Sequence, residues 1–269
     1  MAGIKHISST QNPEIRQLEH WNRKSRDRIR DGRFVLEGLR ELQLALKGGY
    51  QPEKLYFCPE IVPEQRLREV PGLETCPLVS LSPEVYRHLA YRGKTEGVIG
   101  LVPTRNHDLA TLVFRREAPL VLVAEAPEKP GNIGALLRTA DAAGLDAVII
   151  ADLQGDLYNP NIIRSSVGCL FTVPVGMGSS QEVLAFLRDR GMQVLAASLG
   201  GAVRYDQADY TGPTALVVGT EAEGLTALWQ EEADACVEIP MAGAIDSMNV
   251  SVAAAVLIFE ARRQRGFMP

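Results

Sequence analysis

From residue 119 onward, two kinds of hydrophobic pattern alternate along the chain. Near-continuous apolar runs occur at LVLVAE (120–125), AVIIA (147–151), QVLAA (193–197), ALVVG (215–219) and CVEI (236–239). Runs of this kind suit parallel strands buried on both faces. Between and after them lie segments of helical period near 133–143, 160–168, 180–190, 224–232 and 249–264, which gives an α/β class. The last segment contains VSVAAAVLIF (250–259), apolar around nearly its whole circumference. Such a helix is expected to be buried on all sides, and a subunit interface or a central core position would each account for it. The first hundred residues read as a smaller α/β unit. Residues 13–30 look helical, RFVLE (33–37) reads as a strand, and LRELQLALKGG (39–49) as a helix closed by glycine. Strand patterns follow at 54–58, 77–81 and 97–102, with a helix capped by Ser82 between the last two. The resulting division is residues 1–108 as an N-terminal domain, 109–118 as a linker, and 119–269 as the second domain.

Composition narrows the classes. The chain has 269 residues, 46% hydrophobic and 23% charged, enough to bury a sizeable core. No apolar run approaches the ~20 residues of a membrane span, and MAGIKHISSTQ lacks a signal-peptide pattern, so a cytoplasmic protein without membrane association is expected. Cys58, Cys76, Cys169 and Cys236 are scattered and read as free thiols, and His6, His20, His88 and His107 form no ligand pair, so no metal site is expected. The net charge of −5 is unevenly spread: residues 1–108 carry 17 Lys and Arg against 14 Asp and Glu, and residues 109–269 carry 11 against 19. Local positive charge on a dedicated module suits RNA. Arg23, Arg26, Arg30 and Arg33 recur at helical spacing with Lys24 and Arg28 alongside. They form one stripe for RNA phosphates if the helix persists past Gly32; otherwise Arg33 opens the next strand. A solvated helix face is the plainer reading of the same residues.

Chemistry concentrates in three polar loops at strand ends: PGNIGALLRTA (130–140), GTEAEGL (219–225) and IPMAGAIDSMNVS (239–251). Ligands of open α/β sheets bind at the carboxyl ends of strands, so three such loops point to one site. Taken singly, the first reads sooner as a helix cap with an exposed arginine, and the second equally as an acidic turn opening a helix. The second loop lacks the lysine of a P-loop and does not spell GxGxxG. Its two acids would repel phosphate but suit a sulfonium cation or a ribose diol.

Asn132 with Arg138, Gly219-x-Glu221-x-x-Gly224, and Ser247-x-Asn249 resemble the three motifs of the SpoU class of SPOUT RNA ribose 2′-O-methyltransferases, over roughly residues 119–265. The resemblance extends to the N-terminal substrate-binding domain of members acting on ribosomal RNA. It implies a trefoil-knotted parallel sheet flanked by helices, a homodimer, and S-adenosylmethionine as cofactor. Gly219, Ile239 and Met248 resemble the cofactor-binding positions. Asn132, Arg138, Glu221, Ser247 and Asn249 resemble the polar set around the methyl acceptor. Lys129 stands where relatives often have aspartate, and Met248 where leucine is common. The implied activity is methyl transfer to a ribose 2′-hydroxyl, with large-subunit (23S) ribosomal RNA favoured and tRNA as runner-up. A non-catalytic RNA-binding protein of the same fold is the competing class, and an ordinary Rossmann nucleotide enzyme has little support.

Overall fold

The computed structural model describes residues 4–90, 96–199, 203–220 and 223–267. The chain forms two compact units, one of residues 1–105 with 156–172, the other of residues 106–155 with 173–269.

The first unit opens with β1 (Lys5–Ile7) and α1 (Pro13–Arg23). Asn12 starts α1 by accepting a hydrogen bond from the Glu14 amide at 2.9 Å, and Pro13 occupies the first turn, where a missing N–H costs nothing. The single helix expected over 13–30 is two. Lys24 is extended (φ −118°, ψ 113°), α2 (Ser25–Asp31) begins beyond it, and Gly32 at φ +61° ends it. There follow β2 (Arg33–Glu37), α3 (Leu39–Lys47), β3 (Lys54–Phe57), α4 (Glu64–Arg68), β4 (Leu78–Leu81), α5 (Pro83–Leu89) and β5 (Val98–Pro103). Ser82 caps α5 as expected, accepting from the Val85 amide at 3.3 Å. The sheet runs β1-β4-β3-β5-β2, with β5 antiparallel to both neighbours. Ile15 and Leu18 of α1 meet Val35, Tyr56 and Ile99 in its core.

The second unit contains β6 (Leu120–Glu125), α6 (Pro130–Ala143) and β7 (Ala147–Ala151). The chain then supplies α7 (Pro160–Ser165) to the first unit. This corrects the placing of a helix near 160–168 among those flanking the parallel sheet. Side-chain partners far back in sequence decide it. Asp156 pairs with buried Arg28 at 2.5 Å, and the Tyr158 ring stacks on Phe34 with centroids 4.4 Å apart.

Back in the second unit come β8 (Val175–Gly178), α8 (Ser180–Asp189), β9 (Gln193–Ala197), β10 (Val203–Arg204), β11 (Thr214–Val218), α9 (Ala227–Glu232), β12 (Ala235–Glu238) and α10 (Val250–Gln264). All seven strands are parallel, in the order β10-β12-β9-β11-β6-β7-β8. Every residue of β6, β7 and β11 is buried, which is why those runs carry no polar alternation. The short edge strand β8 had no sequence expectation, because VGMG offers little strand propensity. Helix α10 packs on α6 and β11. Its buried residues are Ala254, Leu257, Ile258 and Ala261, while Val252 and Phe259 are 50% and 44% exposed. Within one chain, therefore, α10 is covered on one side only, which sets aside the central core position. Among the described residues, no helix is long and apolar enough to cross a membrane, and no cluster of His, Cys, Asp and Glu is arranged to hold a metal ion.

Candidate active site

Parallel strands deliver all their carboxyl ends to one edge of the sheet, so the loops after β6, β11 and β12 meet there. Gly219 directly follows β11. A β-carbon on it would collide with the backbone of Gly224 and Leu225, so only glycine fits. The loop closes on itself through two backbone bonds, Thr220 N–H to Gly224 O at 3.0 Å and Gly224 N–H to Thr220 O at 3.1 Å. Gly224 turns the chain at φ +71°. Glu221 lies outside the described residues.

A cavity of about 550 Å³ opens beside this loop. Gly219, Ile239, Ser247 and Met248 all line it, so three of the loops' expected cofactor positions and one acceptor position converge. Glu223 and Asp246 add two carboxylates to walls that mix apolar side chains with Ser198, Thr220 and Gln230. A smaller cavity of about 70 Å³ shares Gly219 and Thr220 with the first and adds Lys129 and Asn132.

Asn132 is not the cap of α6. Lys129 holds that position, and Asn132 sits in the first turn. Its Oδ1 instead accepts from Asn249 Nδ2 at 3.2 Å. Asn249 is the cap of α10, its Oδ1 accepting from the Ser251 amide at 3.0 Å and the Ser251 hydroxyl at 2.6 Å. The starts of the two longest helices of this unit are thus tied together, and both direct amide N–H groups and positive dipole ends towards the cavities. Arg138 is not brought to either cavity wall. It is exposed on α6, and its side chain makes no hydrogen bond or ion pair among the described residues. Six residues past Asn132, it is rotated about 120° around the helix from it.

Arg23, Lys24, Arg26, Arg28, Arg30 and Arg33 form no single stripe. The break at Lys24 leaves the carbonyls of Trp21 and Asn22 without helical partners, and Arg28 turns inward to donate to both, at 2.6 and 3.3 Å. Arg28 is consequently buried, contrary to its expected place alongside the exposed basic residues. Arg33 opens β2 and pairs with Glu53 at 2.7 Å, and Arg23 pairs with Glu19 at 3.3 Å. Arg30 grips Asp31 with two bonds of 2.7 and 2.9 Å. Hydrogen bonds from Arg30 and Trp21 hold the Asp31 carboxyl down at about 2, and the same contact raises the Arg30 guanidinium. The side chains of Lys24 and Arg26 are exposed and make no hydrogen bond or ion pair among the described residues.

Sequence reasoning passed over Glu125, the buried carboxylate that ends β6 and accepts from Thr226. The available signal was a lone acid closing an apolar run.

The model of the SpoU rRNA methylase family matches residues 119–259, the segment that carries this whole constellation. The chain belongs to that family. An MRM3-like substrate-binding domain matches residues 12–100, within the first unit. The chain is 31% identical over 245 residues to a 23S rRNA (uridine(2479)-2′-O)-methyltransferase of Streptomyces viridochromogenes, covering 88% of this chain and 85% of that protein. A crystal structure of an RNA 2′-O ribose methyltransferase is 38% identical, with a TM-score of 0.83 and coverage of 97% and 99%. The SpoU methyltransferase AviRb of Streptomyces viridochromogenes, crystallised with AdoMet, is 30% identical, with a TM-score of 0.85 and coverage of 95% and 98%. The SpoU protein described here accordingly has the SPOUT arrangement, a parallel sheet flanked by helices with a separate N-terminal substrate-binding domain.

Proposed function

We propose that this SpoU protein transfers a methyl group from S-adenosylmethionine to a ribose 2′-hydroxyl of 23S ribosomal RNA. The convergence of Gly219, Ile239, Ser247 and Met248 on one cavity, beside the bonded pair Asn132 and Asn249, carries the reading. The cavity's residues fit the cofactor. Ile239, Met248 and Leu225 offer apolar walls to an adenine, the glycine at 219 lets backbone approach, and Glu223 and Asp246 suit a cation and a ribose diol. S-adenosylmethionine, when bound, supplies an already activated methyl group. The protein's task is then chiefly to place the acceptor hydroxyl in line and keep it there.

Asn132, Ser247 and Asn249 hold the acceptor ribose, joined by Glu221. Arg138 stands exposed and clamps an RNA phosphate, which holds the acceptor nucleotide in register. The hydroxyl's proton passes to water or a carboxylate and not to Arg138, since a guanidinium stays protonated in proteins. Lys24 and Arg26, with Arg23, Arg30 and Arg33 around them, give the N-terminal unit its grip on RNA backbone. The half-covered α10 pairs with a second copy through Val252 and Phe259, completing a homodimer. Such an enzyme works in the cytoplasm.

Support for the ribosomal substrate comes from the substrate-binding domain matched at 12–100 and from the 23S activity of the Streptomyces relative. The test is a map of 2′-O-methyl sites across total RNA from cells with and without the gene. One 23S mark should vanish. Loss of a tRNA mark with every ribosomal mark kept would overturn the substrate and leave the chemistry standing.

A further inference from the structure

Glu125 is only 3% exposed and closes an otherwise apolar strand. An ion taken out of water needs its charge answered, and a buried carboxylate usually finds a cation. Glu125 has no ion pair among the described residues. Neutral donors surround it instead. Its Oε2 accepts from the Thr226 backbone N–H at 2.9 Å, and its Oε1 from the Thr226 hydroxyl at 2.7 Å. The Ser180 hydroxyl lies 3.3 Å from Oε1 and 2.6 Å from Asp152 Oδ2, and accepts from the Trp229 indole N–H at 3.1 Å.

Thr226 makes this arrangement informative. It stands at the cap position of α9, where a threonine hydroxyl ordinarily accepts from a first-turn amide. Here it makes no cap bond and donates to Glu125. The helix thus forgoes its own cap in favour of a tether to β6. Thr226 directly follows Gly224 and Leu225, which line the cavity of about 550 Å³ and whose backbone abuts Gly219. Beside Glu125, Ala126 sits at φ +43°, an unusual conformation for alanine, with its N–H bonded to Ala151 O at 2.8 Å. A buried charge, a diverted cap and a strained backbone coincide at one junction.

We infer that Glu125 is a positioning residue for the cofactor. By holding Thr226 it fixes Leu225 and Gly224, the cavity-lining residues just before it, and so keeps their stretch of wall in its accepting shape before anything binds. A wall already in place spares the ligand the cost of ordering it. The inference rests on the reading of this cavity as the S-adenosylmethionine site.

The experiment measures S-adenosylmethionine affinity by calorimetry on the full chain, alongside steady-state methylation of ribosomal RNA. Glu125→Ala should raise both the dissociation constant and KM for the cofactor by about tenfold to a hundredfold, the loss expected for bonds to a charged acceptor. The KM for RNA, and kcat at saturating cofactor, should stay as in the wild type. Glu125→Gln should restore most of the affinity, because the Thr226 and Ser180 hydroxyls can turn to accept as well as donate. Thr226→Val, at an exposed position, keeps the backbone N–H and should give a smaller rise of about threefold. A folded Glu125→Ala protein that binds the cofactor like wild type, or loses kcat with KM unchanged, overturns the proposal. Should Glu125→Ala fail to fold, unchanged affinity in Thr226→Val overturns it equally. A wild-type protein that does not bind the cofactor at all overturns the reading of the cavity beneath it.

Discussion

Asn249 Nδ2 donates to Asn132 Oδ1 at 3.2 Å, across 117 residues of sequence, while Asn249 Oδ1 caps the helix it begins. One side chain therefore does two jobs, and they can be separated. Asn249→Ala removes both and should cost about 1 kcal/mol of stability, the usual value of a cap. Asn249→Ser retains a capping oxygen but is too short to reach Asn132. It should melt close to wild type while losing methyl transfer, as thermal unfolding and a tritium-transfer assay would show.

Gly219→Ala places a β-carbon against the backbone of Gly224 and Leu225, which cannot yield as a side-chain tip can. Overpacking of this kind costs about 1–3 kcal/mol. The loop is expected to open and S-adenosylmethionine binding to disappear in calorimetry, with the strands beneath still protected in hydrogen exchange.

Arg138 fills no core position, so Arg138→Ala should fold and bind cofactor normally yet transfer no methyl group. Arg138→Lys should recover little, because an ammonium cannot grip a phosphate with two parallel bonds. Wild-type turnover in either variant would remove Arg138 from the mechanism.

Association can be tested at Phe259, which is 44% exposed on α10. A charge there is harmless to a lone chain but is buried and unpaired if two copies meet. Phe259→Asp should sediment as a folded monomer where the wild type sediments as a dimer. Unchanged sedimentation at micromolar concentration would place the interface elsewhere.

Acid stability should respond to Glu14. Burial pushes its carboxyl upward, but hydrogen bonds from Lys5, Lys54 and Tyr56 outweigh this and bring it from 4.5 to about 2. A carboxyl lowered in the folded state stabilises the protein above its unfolded value. That contribution fades as pH falls from about 4.5 towards about 2. Glu14→Gln should flatten the stability curve in that window and leave its slope near neutrality unchanged.

Much of this was legible in the sequence where one segment settles its own environment. LVLVAE, AVIIA and ALVVG are apolar because both faces of β6, β7 and β11 are covered, and Gly219 is a glycine because no other residue fits. The failures have remote causes. The break at Lys24 goes with an Arg28 turned inward to Asp156, 128 positions away, and nothing in the local pattern of 16–33 announces that partner. The link from Glu125 to Thr226 spans 101 positions and joins residues that singly look like a strand end and a cap. Val252 and Phe259 stand exposed on α10, and an apolar side chain in a sequence does not say whether its own chain covers it.

The return of residues 156–172 to the first unit has a consequence for synthesis. Arg28 and Phe34 emerge from the ribosome early, but Asp156, Tyr158 and Phe171, which complete their surroundings, follow more than a hundred residues later. At about 5–20 residues per second, the N-terminal unit waits many seconds, its apolar seam open, for its last piece. Maturation of this half is therefore timed by elongation through the other. No single cut of the polypeptide yields two intact halves, for any break between 105 and 156 strips Arg28 of its counter-ion and strands the Tyr158 ring on the wrong fragment.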